Sequence, residues 1–155
     1  MKKIPIEQEL HIDHTNLHAY STGLLQGKAY RVLNSTLTKV MILYDLSIPE
    51  WKLLGQLHDH GLMRLTDLAG RLDVEPPLIT KLIDGLEKKE MIKRTSHPQD
   101  KRAKVISITK KGKDTVMSLE VPVKMAMGRL LQGTASEELR VYLRVLQTIV
   151  NNAIL

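Results

Sequence analysis

The stretch from residue 62 to residue 112 constrains the fold more than any other part of the chain. Pro76 and Pro77 can open a helix there, because the amides of a first helical turn have no intrahelical acceptor. Aliphatic residues follow at helical spacing: Leu78, Ile79, Leu82, Ile83 and Leu86. Two strand-like runs, 92–96 and 104–108, then flank a polar turn that starts with proline. This order predicts a helix-turn-helix followed by a β-hairpin "wing".

The same stretch holds the net charge of the chain. Residues 81–113 contain 11 Lys and Arg against 4 Asp and Glu, a net charge of +7, whereas the whole chain carries +6. A basic surface this local, on a helix and a hairpin, is typical of nucleic-acid binding. No aromatic residue lies in it, which argues against the stacking of single-stranded or RNA bases. The predicted partner is therefore double-stranded DNA.

Composition argues against several other classes of protein. The chain has 155 residues, 43% of them apolar, which suits one domain with an aliphatic core. It has no cysteine, which excludes disulfides and thiolate metal sites. The N-terminus is too polar for a signal peptide and no apolar run has membrane-spanning length, so we expect a cytoplasmic protein with no membrane partner. Because no catalytic motif is present, we expect neither an enzyme nor a cofactor.

Further helices are predicted on both sides of the basic stretch. Their ranges are 15–45, 48–59, 65–72, 110–131 and 135–153, with Ser47 and Thr109 as N-caps and a kink or break near Pro122. The terminal helices carry apolar stripes that a second copy could cover, which favours a homodimer. The predicted fold is mainly α (α+β). It comprises an N-terminal arm (1–14), a helical dimerisation region (15–45 and 115–155) and a winged helix-turn-helix lobe (46–114).

Three segments resemble the multiple antibiotic resistance regulator (MarR) family of winged-helix transcription factors. They read LTDLAGRLDV at 65–74, ITKLIDGLEKKEMIKR at 79–94 and DKRAKVISITKKG at 100–112. The last is the most specific, because the family has Asp-x-Arg at the wing tip, followed by a strand and Leu-Thr-x-x-Gly. Here these motifs are Asp100-Lys101-Arg102 and, with Ile in place of Leu, Ile108-Thr109-Lys110-Lys111-Gly112.

The resemblance implies a dimeric regulator, which we expect to be a repressor, on a pseudo-palindromic operator. A recognition helix at about 76–89 would enter the major groove, and a wing at 97–103 would reach the minor groove. In the family the wing arginine enters that groove and the aspartate orients it, which carries over to Arg102 and Asp100. The expected DNA contacts are Pro77, Thr80, Lys81 and Asp84 on the helix, Asp100, Lys101, Arg102 and Lys104 on the wing, and Lys88, Lys93 and Arg94 as phosphate-binding residues.

Two positions depart from the family pattern. The recognition helix usually begins with small hydroxyl residues, whereas this chain has Glu75, Pro76 and Pro77 there. Base contacts must therefore fall more on Thr80 and its neighbours. The usual glycine after the helix is replaced by Glu90, which leaves the end of the helix without an evident cap.

The resemblance also implies regulation by a small aromatic or anionic effector. Such compounds bind between the dimerisation helices and the DNA-binding lobe, where Tyr30, Arg31 and Trp51 are candidates. A ligand that binds better to a dimer with mismatched recognition helices would release the operator.

Two alternatives remain open at this point. His11, His14 and His18 have spacings that share one face of a helix, and imidazole is a common zinc ligand, so a metal-responsive regulator of the same fold is one alternative. A winged-helix protein-interaction module that does not read DNA is the other. The concentrated basic charge favours DNA over this second alternative.

Overall fold

The computed structural model describes the backbone of residues 19–97 and 100–153, and the side chains of residues 23–96 and 104–153. It divides into two compact units, residues 1–35 and 36–155. The described part of the first unit is the start of a helix, on which Leu24, Leu25 and Tyr30 are exposed. All other elements belong to the second unit.

Six helices and one hairpin make up the described chain. In order they are α1 (Ala19–Ile42), α2 (Ile48–His60), α3 (Leu65–Leu72), α4 (Pro76–Lys88), β1 (Ile92–His97), β2 (Asp100–Ile108), α5 (Lys110–Leu130) and α6 (Ser136–Asn152). The predicted fold class, mainly α with a small antiparallel hairpin, is confirmed. Among the described helices, none has both the length and the apolar character needed to cross a membrane.

Aliphatic residues from almost every element of the second unit form one core. Its fully covered members include Met41, Leu53, Leu54, Leu57, Leu68, Ile79, Ile83, Leu86 and Leu119. α2 enters this core from a well-capped start, because Ser47 and Glu50 make the predicted capping box. α4 contributes four buried residues at helical spacing, so its opposite side faces outward.

Three helix ends turn through a left-handed residue that is acidic rather than glycine. Asp45, Asp73 and Glu90 have φ values of 53°, 51° and 59°. At Glu90 the amide donates to the Glu87 carbonyl at 2.9 Å, and the next amide, of Met91, donates to the Leu86 carbonyl at 3.0 Å. This pair of bonds is the Schellman motif. It supplies the cap that the missing glycine had left unexplained.

The hairpin is an antiparallel pair in which Ile92 lies opposite Ile108 and Ser96 lies opposite Lys104. The register shifts between Ser96 and His97, close to the tip. Met63, between α2 and α3, adds a short bridge to β2 through two backbone hydrogen bonds with Ile106, of 2.8 and 3.1 Å. The sequence pattern did not predict this bridge, which ties the base of the wing to the helix-turn-helix.

The junction of β2 and α5 shows why the Thr-x-x-Gly pattern is needed. Thr109 caps α5 as predicted, accepting from the Gly112 amide at 3.1 Å, and its hydroxyl donates to the Glu90 carbonyl at 2.8 Å. A Cβ on Gly112 would lie 2.2 Å from the Met91 carbonyl oxygen. Only glycine therefore lets α5 start against the turn that follows α4.

Two local predictions were wrong. The predicted break at Pro122 is absent, since α5 runs from Lys110 to Leu130, because a single missing amide does not stop a helix held elsewhere. Leu78 was predicted in the apolar stripe of α4, but 42% of its surface is exposed. Its angular position on the helix lies beyond the strip that the core covers.

Candidate nucleic-acid interface

The outward side of α4 carries the residues predicted to contact DNA. Pro77, Lys81, Asp84 and Lys88 recur at spacings of four, three and four residues, and all are exposed. They lie opposite the buried Ile79, Leu82, Ile83 and Leu86. Packing of the core therefore leaves one face of α4, two turns long or more, on the surface. The major groove of DNA is wide enough to admit such a helix.

Thr80 lies beside this stripe, with its hydroxyl already engaged. Its Oγ1 donates to the Pro76 carbonyl at 3.0 Å, so in the free protein the hydroxyl can offer a ligand only its acceptor capacity. Lys81 and Lys88 make no ion pair with any residue whose side chain is described. Their charges are available to an anionic partner.

The hairpin adds further exposed cations. Lys93 lies on β1, and Lys104 on β2 donates to the Ser96 hydroxyl at 3.4 Å across the strands. Asp100, Lys101 and Arg102 belong to β2, but their side chains, like all those of the predicted wing tip at 97–103, are outside the described residues. Their role stays a prediction.

Arg94 is an exception among the predicted phosphate-binding residues. Its guanidinium donates to the carboxylates of Asp84 and Glu87 on α4, and its backbone amide donates to Glu87 Oε1 at 3.2 Å. The hydrogen bond to Asp84, followed by the charge of Glu87, raises the pKa of Arg94 above its ordinary value. Arg94 therefore connects β1 to the recognition helix. Its positive charge is already paired with two carboxylates.

Lys89, the residue that caps the C-terminal end of α4, makes a second internal contact. Its Nζ lies 3.0 Å from Glu50 Oε1 and donates to the Asp45 carbonyl at 2.5 Å. Burial would raise the pKa of Glu50, but hydrogen bonds from the Ser47 amide, Lys89 and the Ser47 hydroxyl hold it below its usual value. Lys89 thus fixes the end of α4 to the start of α2, rather than extending toward a phosphate.

Comparison with known proteins identifies the fold. A model of the MarR family matches residues 46–104. The HTH-type transcriptional regulator YhbI of Bacillus subtilis (strain 168) is 30% identical over 118 residues, which is 76% of this chain and 75% of YhbI. The chain belongs to the MarR family.

Other relatives from the same organism match over shorter stretches. The HTH-type regulator YfiV is 30% identical over 94 residues, 61% of this chain and 59% of YfiV. The HTH-type transcriptional repressor MdtR is 31% identical over 86 residues, 56% of each chain. The matches thus span less than two thirds of YfiV and MdtR.

Solved structures of MarR-family proteins share the fold at lower identity. CouR from Rhodococcus jostii RHA1, bound to p-coumaroyl-CoA, has a TM-score of 0.77 at 21% identity, covering 87% of this chain and 95% of CouR. A mutant MarR from E. coli, complexed with operator DNA, has a TM-score of 0.76 at 18% identity, covering 84% of this chain and 94% of that one. The winged-helix architecture is therefore that of the MarR family.

Of the residues predicted to bind an effector in this MarR-family chain, Trp51 lines a pocket. The pocket, of about 610 Å³, lies among α2, α3 and α5. Its polar lining includes Lys52, His58, Arg71, Glu120 and Lys124. Tyr30 and Arg31 belong to the first unit, so their part in such a site stays a prediction.

The histidines of the metal hypothesis, His11, His14 and His18, lie outside the described residues. Within the part of the chain that the structure describes, no group of three or more His, Cys, Asp or Glu is placed to hold a metal ion. The metal-responsive alternative thus rests on the N-terminal sequence alone.

Sequence reasoning missed three features of this region. These are the exposure of Leu78, the attachment of Arg94 to α4 and the attachment of Lys89 to α2. For Arg94 a signal was present, because acidic residues on a helix that precedes a strand can meet a cation on that strand. For Leu78, only the packing of the other elements decides which side of α4 is covered.

Proposed function

We propose that this MarR-family regulator is a homodimeric repressor that binds a pseudo-palindromic operator. α4 enters the major groove through Pro77, Thr80, Lys81 and Asp84, and the wing at 97–103 enters the adjacent minor groove. The observation that carries the proposal is the outward face of α4. Four buried residues hold one side of the helix, while Lys81 and Lys88 are exposed on the other. The MarR neighbour complexed with operator DNA supports this choice of ligand.

Phosphate attraction is assigned to the cations that have no described acidic partner. Lys88 is exposed at the end of α4, Lys93 is exposed on β1, and Lys104 is exposed on β2 opposite Ser96. Such contacts supply affinity and orientation without sequence information. In the wing, Arg102 inserts in the minor groove, Asp100 orients it, and Lys101 adds charge at the tip.

Arg94 has a different role in this proposal from the phosphate contact predicted from sequence. Asp84 and Glu87 bind its guanidinium, which attaches β1 of the wing to the recognition helix. A wing set at a constant angle to α4 can meet the minor groove when α4 meets the major groove. Asp84 consequently has two roles in the proposed interface. It lies on the outward face of α4, and it positions the wing through Arg94.

Dimerisation is assigned to the helices on either side of the lobe, residues 15–45 and 115–155. α6 supports this assignment, because it has no buried residue within its described length and exposes several large apolar side chains. Two copies joined in this way would place two recognition helices on successive turns of one DNA face, as a symmetric operator requires.

Effector release is assigned to the Trp51 pocket. An indole beside Lys52 and Arg71 suits an aromatic or anionic compound, and the CouR neighbour was solved with p-coumaroyl-CoA. Because Trp51 is the single tryptophan, its fluorescence reports binding directly. Titration with benzoate should change that fluorescence saturably and lower operator affinity; a change in neither would remove this pocket from the mechanism.

The experiment that tests the proposed function is selection from a randomised pool of double-stranded DNA at about physiological salt. A two-fold palindrome with half-sites about 10 bp apart is the expected outcome. If the protein binds DNA but no sequence is enriched, its association with DNA is non-specific. If it does not bind DNA at all, the protein-interaction alternative is favoured. A shallow dependence of affinity on salt would do the same, because several phosphate contacts require a steep one.

The wing is tested on the selected duplex with Arg102→Ala. We expect the affinity to fall more than about tenfold, with dimerisation and melting unchanged. Arg129→Ala, at the exposed end of α5, is the matched control; once sedimentation shows that it is as dimeric as wild type, its affinity should stay within about twofold. Equal affinity of the Arg102 variant and wild type would remove the wing arginine from the mechanism.

A further inference from the structure

The exposed side of the first turn of α4 is apolar. Pro77 is exposed and Leu78 has 42% of its surface exposed, whereas four other aliphatic residues of the helix are buried. Lys81 is four residues after Pro77 and three after Leu78, so it lies one turn further along the same side. An apolar patch therefore leads directly into the basic part of the outward face.

The backbone amides of this turn are not available for hydrogen-bonded readout. Prolines at positions 76 and 77 have no amide hydrogen, and the amides of Leu78 and Ile79 both donate to the Glu75 carbonyl, at 3.0 and 3.1 Å. The usual anion site at a helix start needs unused amides, and an acidic residue, Glu75, stands at the cap position instead. A phosphate is consequently not the group that this turn accommodates.

We propose that Pro77 and Leu78 recognise thymine, by van der Waals contact with its 5-methyl group in the major groove. The inference rests on the proposed function and adds a base preference to it. The thymine methyl is the apolar group that a base edge presents in that groove, and apolar side chains are its natural partners. One or more thymines in each half-site would then lie against the first turn of α4.

Charge complementarity selects DNA as the occupant of this patch rather than another protein. Lys81 and Lys88 extend the same face of α4, and residues 81–113 carry a net charge of +7. A polyanion whose groove also presents methyl groups satisfies both parts of the face at once. An apolar protein partner would leave the lysines without counter-charges.

The test uses the duplex with the highest affinity from the randomised pool, in which each thymine is replaced in turn by deoxyuridine. This replacement removes the methyl group and leaves every hydrogen-bonding group in place. Wild type should lose about fourfold in affinity at one or two positions of each half-site. Leu78→Ala should discriminate less between the thymine and deoxyuridine duplexes at those positions, with the part of the preference that Pro77 supplies retained.

Leu62→Ala is the matched control, because Leu62 is 47% exposed and lies outside α4. It should keep the full preference for thymine, and melting curves of both variants should match wild type. The inference is overturned if wild type binds every deoxyuridine duplex as tightly as the thymine duplex. It is also overturned if Leu78→Ala loses as much affinity as wild type on each replacement. A Leu78→Ala variant that loses only protein association overturns it as well. The proposed function survives those outcomes as long as wild type prefers the selected duplex to a scrambled one, and fails separately if it does not.

Discussion

The helix-turn-helix lobe and helix α6 use similar aliphatic residues in opposite ways. In the lobe, Leu53, Leu57 and Ile83 are completely covered by their own chain. On α6, no described residue is buried, and Val145 and Ile149 have about half of their surfaces exposed, 49% and 51%. The lobe therefore obtains its stability within one copy, whereas α6 has an apolar stripe that only a further surface can cover.

The largest expected difference between the two regions concerns truncation of an aliphatic side chain. Leu53→Ala should lower the free energy of unfolding by about 2–5 kcal/mol, because it removes buried contacts and leaves a cavity. At protein concentrations low enough for the proposed dimer to dissociate, Val145→Ala on α6 should change it by no more than about 0.5 kcal/mol. Urea unfolding followed by Trp51 fluorescence measures both. Similar losses in the two variants would show that α6 is buried against its own chain.

A second difference concerns space around backbone atoms. Gly112→Ala should destabilise the protein by about 1–3 kcal/mol, because the new Cβ would meet the Met91 carbonyl oxygen and Ile108. Gly128→Ala, on the same helix, has open space around the new Cβ and should gain up to about 1 kcal/mol from helix propensity. Thermal melting compares them. Opposite signs are expected, and a stable Gly112 variant would show that the start of α5 can move away.

Local interactions made much of the lobe predictable from sequence. The caps at Ser47 and Thr109 depend on residues three positions apart, and both were predicted because such contacts need no knowledge of the fold. Contacts between elements were harder. The pairing of Arg94 with Asp84, ten residues earlier, depends on the angle at which β1 leaves α4.

The same distinction between local patterns and contacts between elements applies to the candidate site. Periodicity identified Thr80, Lys81 and Asp84 on the outward side of α4, and the structure places them there. It misplaced Leu78, because five aliphatic residues span a wider arc than the core covers. The Met63–Ile106 bridge had no signal at all, since a single pair of strand residues leaves no pattern.

Ion pairs supply a third and smaller difference. Glu50 is 9% exposed and held by Ser47 and Lys89, whereas Glu137 and Arg140 form an exposed pair on α6. Because the folded protein lowers the pKa of Glu50 below 4.5, the unfolded chain binds its proton more readily. The stabilisation by this carboxylate is thus complete well above pH 4.5, and is lost as the pH falls below that value.

Replacing the two acids tests this difference. At neutral pH, Glu50→Gln should cost about 1 kcal/mol of unfolding free energy. That cost should shrink as the pH approaches 3.5, because wild type loses the same carboxylate by protonation. Glu137→Gln should have an effect of no more than about 0.5 kcal/mol at neutral pH. Urea titrations between pH 7 and 3.5 measure both, and a cost for Glu50→Gln that does not vary with pH would contradict the mechanism.

The smallest effect on the lobe is expected from Ile149→Glu, although it should change assembly the most. A charge in the α6 stripe would be buried without a partner in the proposed dimer, so the variant should sediment as a monomer where wild type is dimeric. At concentrations low enough for wild type to dissociate, the two proteins should unfold within about 0.5 kcal/mol of each other, as seen by Trp51 fluorescence.

Gln147→Glu adds the same charge on the opposite side of α6 and should remain dimeric. If Ile149→Glu is also dimeric, the stripe lies outside the interface, and another surface must join the copies. If instead it unfolds the lobe at low concentration, α6 supports the helix-turn-helix within one chain, and the contrast between the two regions disappears. A monomeric variant with an intact lobe would establish that the winged helix folds independently of assembly. Its weakened affinity for a palindromic duplex, with half-site binding retained, would then measure what the second copy contributes to operator binding.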